Sequence, residues 1–228
     1  MPGIDWVFNQ LEPQHKESLL KAAAEMTDPE LRSMAYSKAI TSGHSSKPED
    51  MVREALALPP DSLNDKGWQD LGRVCTTRLL HEPDPAASAV QLKALAAQLP
   101  EEGRAPFLQM AANMASWNNL PLAAALINHL PESNVREMAS KWAQADPNAV
   151  SAWLDTLEPS AKRDEAIAGF CGKAALIDPA AAAQWALTIQ GDGLREGALR
   201  EALHVWKQSD PGAAAAWAVE KGITLPAP

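Results

Sequence analysis

The chain of 228 residues carries 20 Lys and Arg against 29 Asp and Glu, a formal net charge of −9. Both signs are interspersed and no basic stripe is present, which argues against a nucleic-acid binder, since phosphates must be neutralised by clustered cations. No run of about 18 apolar residues exists to span a bilayer, and no segment shows the period-two alternation of a half-buried strand.

Glycine and β-branched residues are few while alanine and leucine abound, so helix propensity is high almost throughout and the expected fold class is all-α. The N-terminus, Met1-Pro2-Gly3-Ile4-Asp5-Trp6, has neither a basic n-region nor an apolar h-region. No secretory signal is therefore expected, and a cytoplasmic location is the default. Two or three helices are expected around 5–11, 14–25 and 29–41, forming an N-terminal helical cap over 1–47. The Gly-His-Ser-Ser-Lys stretch at 43–47 reads as a flexible joint.

From 48 to 228 one grammar repeats, in units near 48–84, 85–120, 121–146, 147–178, 179–210 and 211–228. Pro48, Pro85 and Pro121 each precede a short apolar helix, and Leu58-Pro59, Leu99-Pro100 and Leu130-Pro131 mark turns inside the hairpins. The unit 121–146 is the shortest complete one, with the loss assigned to its second helix. Downstream the period becomes regular. Asp146-Pro147 leads to Trp153, Asp178-Pro179 to Trp185 and Asp210-Pro211 to Trp217, each copy 32 residues after the last. Aspartate suits the N-cap, where its oxygen satisfies orphan N–H groups. Proline suits the first helical position and disfavours α geometry before it. First helices are expected near 147–157 and 179–189, and second helices near 161–177 and 193–208.

Self-similarity at such a period is the mark of stacked helical hairpins. Asp146-Pro147-Asn148-Ala149 followed by Ala152-Trp153 resembles the tetratricopeptide unit boundary, a likeness covering about 48–222 and sharpest from 117 onward. It departs from that pattern where Trp153 leads into Leu154-Asp155-Thr156 and the helix ends early. The resemblance implies a right-handed α-solenoid of stacked antiparallel hairpins that binds protein or peptide. It transfers no functional residue.

Val150, Trp153, Leu154 and Leu157 form one apolar stripe, repeated as Ala182, Trp185, Ala186 and Ile189, so the tryptophans read as knobs between repeats. The opposite face carries Asn148, Ser151 and Asp155, then Ala180, Ala183 and Leu187, then Gly212, Ala215 and Val219. Small residues there are buried on both sides, or line a groove, or merely fill exposed helix. The groove reading selects Ser151, Asp155, Ala183, Gln184, Leu187, Thr188 and Val219 as the partner-binding surface, and the 212–219 face as a possible self-association surface. Arg104, Arg136, Arg163 and Arg195 recur at the start of second helices, against the helix dipole. They read as structural, paired with Glu137, Asp164, Glu196 or a capping aspartate.

No chemistry-bearing motif emerges. His15, His44, His81, His129 and His204 are dispersed, and Cys75 and Cys171 lie far apart, so no metal or other cofactor is expected. Ser18-Leu19-Leu20-Lys21 matches S-x-x-K but lacks its companion elements, and Gly191-Asp192-Gly193 has no preceding strand. The expectation is a non-enzymatic helical-repeat scaffold. The alternative is a glycan-handling module similar to the α-superhelical portion of lytic transglycosylases, using exposed tryptophans.

Overall fold

The computed structural model describes residues 16–42 and 47–223. The expected helix at 5–11, the start of that at 14–25, the joint up to residue 46, the 224–228 tail, Trp6, His15 and His44 lie outside these residues. Among the described residues the secondary structure is helical with no strand. The helices are α1 (Lys16–Glu25), α2 (Pro29–Thr41), α3 (Pro48–Leu56), α4 (Asp65–Leu79), α5 (Pro85–Gln98), α6 (Glu101–Asn118), α7 (Leu120–Ala125), α8 (Glu132–Ala145), α9 (Pro147–Asp155), α10 (Ala161–Ala174), α11 (Pro179–Ala186), α12 (Asp192–Ser209) and α13 (Pro211–Lys221).

The Asp-Pro boundary acts in both directions at once. Asp146, Asp178 and Asp210 each donate their backbone N–H to the preceding helix, to the carbonyls of Trp142, Ala174 and Trp206 at 2.7, 2.8 and 2.7 Å. Their side chains then accept from Ala149, Ala181 and Ala213 at 3.0, 2.9 and 2.9 Å. One residue closes a helix and opens the next. Asn119 does the same upstream, donating to the Ala115 carbonyl and accepting from Leu122 N–H. Asp28 and Asp84 cap the starts of α2 and α5 with their side chains.

The chain divides into two compact units, Met1–His129 and Leu130–Pro228. In the N-terminal unit the longer helices α2, α4 and α6 pack in sequence, with α3, α5 and α7 alongside. Helices α1 and α2 belong to the same unit as the first hairpins. The core is apolar, with Leu71, Leu92, Leu95, Phe107 and Leu122 all sealed from solvent. Helices α4 and α6 meet at Gly72, where a Cβ would overlap the Phe107 carbonyl oxygen. In the C-terminal unit α8, α10 and α12 form the corresponding series, joined by α9, α11 and α13. Here Gly169 of α10 meets α8 so closely that a Cβ would overlap the Arg136 carbonyl. A side chain at either glycine would force the backbones apart, an overpacking cost of about 1–3 kcal/mol or more.

Two expectations are corrected. The unit 121–146 does not lose its residues from the second helix: α8 and α10 both have 14 residues, whereas α7 has 6 against 9 in α9. First helices also end sooner than the apolar pattern suggested. Thr156 and Thr188 turn their hydroxyls onto the Trp153 and Trp185 carbonyls at 2.6 and 2.8 Å, satisfying acceptors that a further turn would have used.

Candidate functional site

The stripe residues Val150, Leu154, Ala182, Ala186, Ala214 and Ala218 are fully buried. Beside them the tryptophans are half-buried and each meets one ring of the preceding second helix. Trp153 lies 5.5 Å from Trp142, Trp185 5.9 Å from Phe170, and Trp217 5.6 Å from Trp206. Such separations are favourable aromatic contacts. Their role is packing between hairpins, as the pattern suggested. Among the described tryptophans, Trp117 alone is mainly exposed, at 67 %.

The expected partner surface does not share one environment. Asp155, Gln184, Thr188 and Val219 are exposed, and Ser151 and Leu187 half-buried. Ala183 is 0 % exposed, which corrects its assignment to an accessible groove: it belongs to the core around α11. The small-residue face is thus largely open on α9 and α13, and in the middle copy it is half-buried at Ala180 and Leu187 and closed at Ala183.

The recurrent arginines are structural, though not through the partners expected. Arg104 donates to the Leu99 carbonyl at 2.9 Å. Arg195 donates to the carbonyls of Ile189 and Gln190 at 2.9 and 3.1 Å and pairs with Asp192. Arg163 reaches the Thr188 carbonyl at 3.4 Å, and Arg136 pairs with Glu165 of α10 at 2.6 Å. Buried Asp164 accepts the N–H groups of Gln190 and Gly191, both at 3.1 Å. The 188–191 turn is therefore held by side chains on two helices. Arg104, Arg163 and Arg195 thus place donors on loop carbonyls, Arg136 places its donor on a carboxylate, and Arg163 Nε–H is buried without a hydrogen-bond partner.

An open groove of about 510 Å³ lies across α10 in the C-terminal unit. Its floor is Ala168, Gly169 and Gly172, and α8 and α12 supply flanking side chains. Lys173 and Glu201 line it, and neither has an ion-pair partner among the described residues. Glu201 reaches over Gly172, its carboxylate 3.3 Å from where a Cβ would stand. The missing side chain is what makes room for that carboxylate over α10. Sequence reasoning passed over this surface because it followed the first helices; the cluster of small residues at 168, 169 and 172 was the available signal.

Each unit buries one free thiol. Cys171 of α10 donates to the Ala182 carbonyl at 3.2 Å. Burial, reinforced by the nearby Glu201 charge, pushes its pKa up to about 12. Cys75 of α4 is pushed up to about 12 as well, first by burial and then by Glu49. Both stay protonated at neutral pH and behave as small apolar residues. No three His, Cys, Asp or Glu side chains converge as a metal site among the described residues, and no described helix is long and apolar enough to cross a membrane.

These features define an all-α protein of sequential helical hairpins with repeated Asp-Pro boundaries. No family model matches the chain, and neither a curated protein nor a solved structure does so.

Proposed function

We propose that the chain is a non-enzymatic, tetratricopeptide-like helical-repeat scaffold that binds a protein or peptide partner, its hairpins stacking as an α-solenoid. The observation carrying this reading is the groove across α10, with a floor of small residues and two unpartnered opposite charges, Lys173 and Glu201. Small residues keep the floor low, and the charges at the walls fix a partner's register. Exposed Asp155, Gln184 and Thr188 belong to a different face, so the groove replaces the first-helix surface as the leading site.

Parallel affinity enrichment with wild type, Lys173→Glu and Glu201→Lys tests it. Neither position is buried, so helicity and melting temperature should hold. A partner retained by wild type and depleted about fivefold or more by each reversal is expected, since the loss of a favourable ion pair and its replacement by repulsion cost on the order of 1 kcal/mol or more. Indistinguishable eluates would sink the groove as the binding surface.

A further inference from the structure

The N-terminal end of α12 is held differently from the rest of that helix. From Ala198 onward α12 is anchored by buried Ala198, Leu199, Ala202, Leu203 and Trp206, and Ile189, just before the helix, is 1 % exposed. Between these anchors, residues 190–197 bury no side chain fully: Leu194 and Arg195 are half-buried and the others exposed. The same stretch holds Gly191, Gly193 and Gly197. Gly193 and Gly197 have open space where a Cβ would stand, so packing does not require either. Each weakens the helix relative to alanine. Gly191, the N-cap, offers no side chain to the first turn.

Hydrogen bonds from the start of α10 fasten this segment. Asp164 Oδ2 accepts the N–H groups of Gln190 and Gly191, both at 3.1 Å, and Arg163 adds a longer contact to the Thr188 carbonyl at 3.4 Å. Arg195 bonds to Ile189, Gln190 and Asp192, and so does not tie the segment to α10. Asp164 is 5 % exposed and its Oδ1 has no partner. Release of the segment hydrates that carboxylate, which offsets part of the two bonds lost and lowers the free energy of opening. The other side of α10 is tighter. There Gly169 meets the α8 backbone directly, and Arg136 pairs with Glu165 at 2.6 Å.

We propose that residues 190–197 form a latched flap: Asp164 holds it on α10, and on release it opens while Ile189 and the helix from Ala198 onward stay packed. The flap ends one turn before Glu201, so its opening extends the groove along the α12 side towards the start of α10, while the α8 wall stays fixed. The proposal rests on the reading of that groove as the binding surface, and adds that one of its two walls adjusts to the partner.

Residue-resolved amide exchange of the full chain, followed by NMR at several low denaturant concentrations, tests the flap without any partner. A small segment exposes little surface when it opens, so its exchange should depend only weakly on denaturant. In the wild type the amides of Gln190, Gly191, Arg195 and Glu196 should exchange ahead of those at 199–206, and with the shallower dependence. Asp164→Ala should speed them about tenfold or more, the scale of a hydrogen bond to a charged group. Gly197→Ala should slow Arg195 and Glu196 about two- to fivefold. A denaturant dependence in the flap as steep as at 199–206 would mean that it opens only with the whole helix, and overturns the proposal. So does an Asp164→Ala protein whose flap amides exchange at the wild-type rate. Should that variant not fold, Gly197→Ala decides, because unchanged exchange at Arg195 and Glu196 removes the flap. A segment found rigid would leave the groove a binding surface with two fixed walls, and a groove that captures nothing would leave the flap measurable, so the two failures are distinct.

Discussion

The two buried thiols tie single-residue environments to a measurable pH dependence. Each has an ordinary value of 9.0 and is pushed up to about 12, mainly because burial penalises the thiolate. The folded state therefore holds these protons more tightly than the unfolded chain. Their contribution to stability is complete below pH 9 and drains away as pH rises towards 12. The loss is on the order of a few kcal/mol by the top of that range. Denaturant midpoints at about pH 8 and about pH 10.5 should differ more for wild type than for Cys75→Ala/Cys171→Ala. Equal pH slopes in both proteins would show that the thiolates are accommodated without unfolding. In the native protein a thiol reagent near pH 8 should label neither cysteine until denaturant is added.

At the level of elements, the repeats preserve a ring contact while moving the residue that makes it. Trp206 and Trp142 sit at the ends of α12 and α8 and meet the tryptophan of the next helix. The aligned position in α10 is Ala174, and the ring against Trp185 comes instead from Phe170, one turn earlier, where α12 has Ala202. A large and a small residue have exchanged places around one site. Phe170→Ala should cost about 3–5 kcal/mol, as for other buried aromatic truncations. Adding Ala174→Trp should return part of that loss by supplying the ring from the position used in α8 and α12. A double variant no more stable than the single one, by denaturant midpoint, would mean that the repeats are not interchangeable there. The same comparison marks what the sequence disclosed. Caps at Asp146, Asp178 and Asp210 were legible because their chemistry is local. The Phe170 substitution and the burial of Ala183 were not, because both depend on which neighbouring helix fills the space.

Across the whole molecule, stability in a hairpin array comes from nearest neighbours, so an element's resistance to opening follows the number of helices that flank it. In the C-terminal unit α10 is flanked by α8, α9, α11 and α12, whereas α13 packs chiefly on α12. Its buried contribution is limited to Ala214 and Ala218, and Val219 is 81 % exposed. This gradient was only half legible: the 32-residue period located α13, but not which of its faces stays open. It also separates two readings of Val219. If the face serves only as exposed helix, amide exchange should be fastest in α13, intermediate in α12 and slowest in α10, at every protein concentration. If a second copy covers it, protection in α13 should rise with concentration while α10 is unchanged. With so few apolar side chains anchoring α13, the first pattern is expected. Peptide-resolved hydrogen exchange at two concentrations about a hundredfold apart decides between them, because mass action gives a self-associating face about 2.3 kcal/mol over that range when the lower concentration is near its dissociation constant.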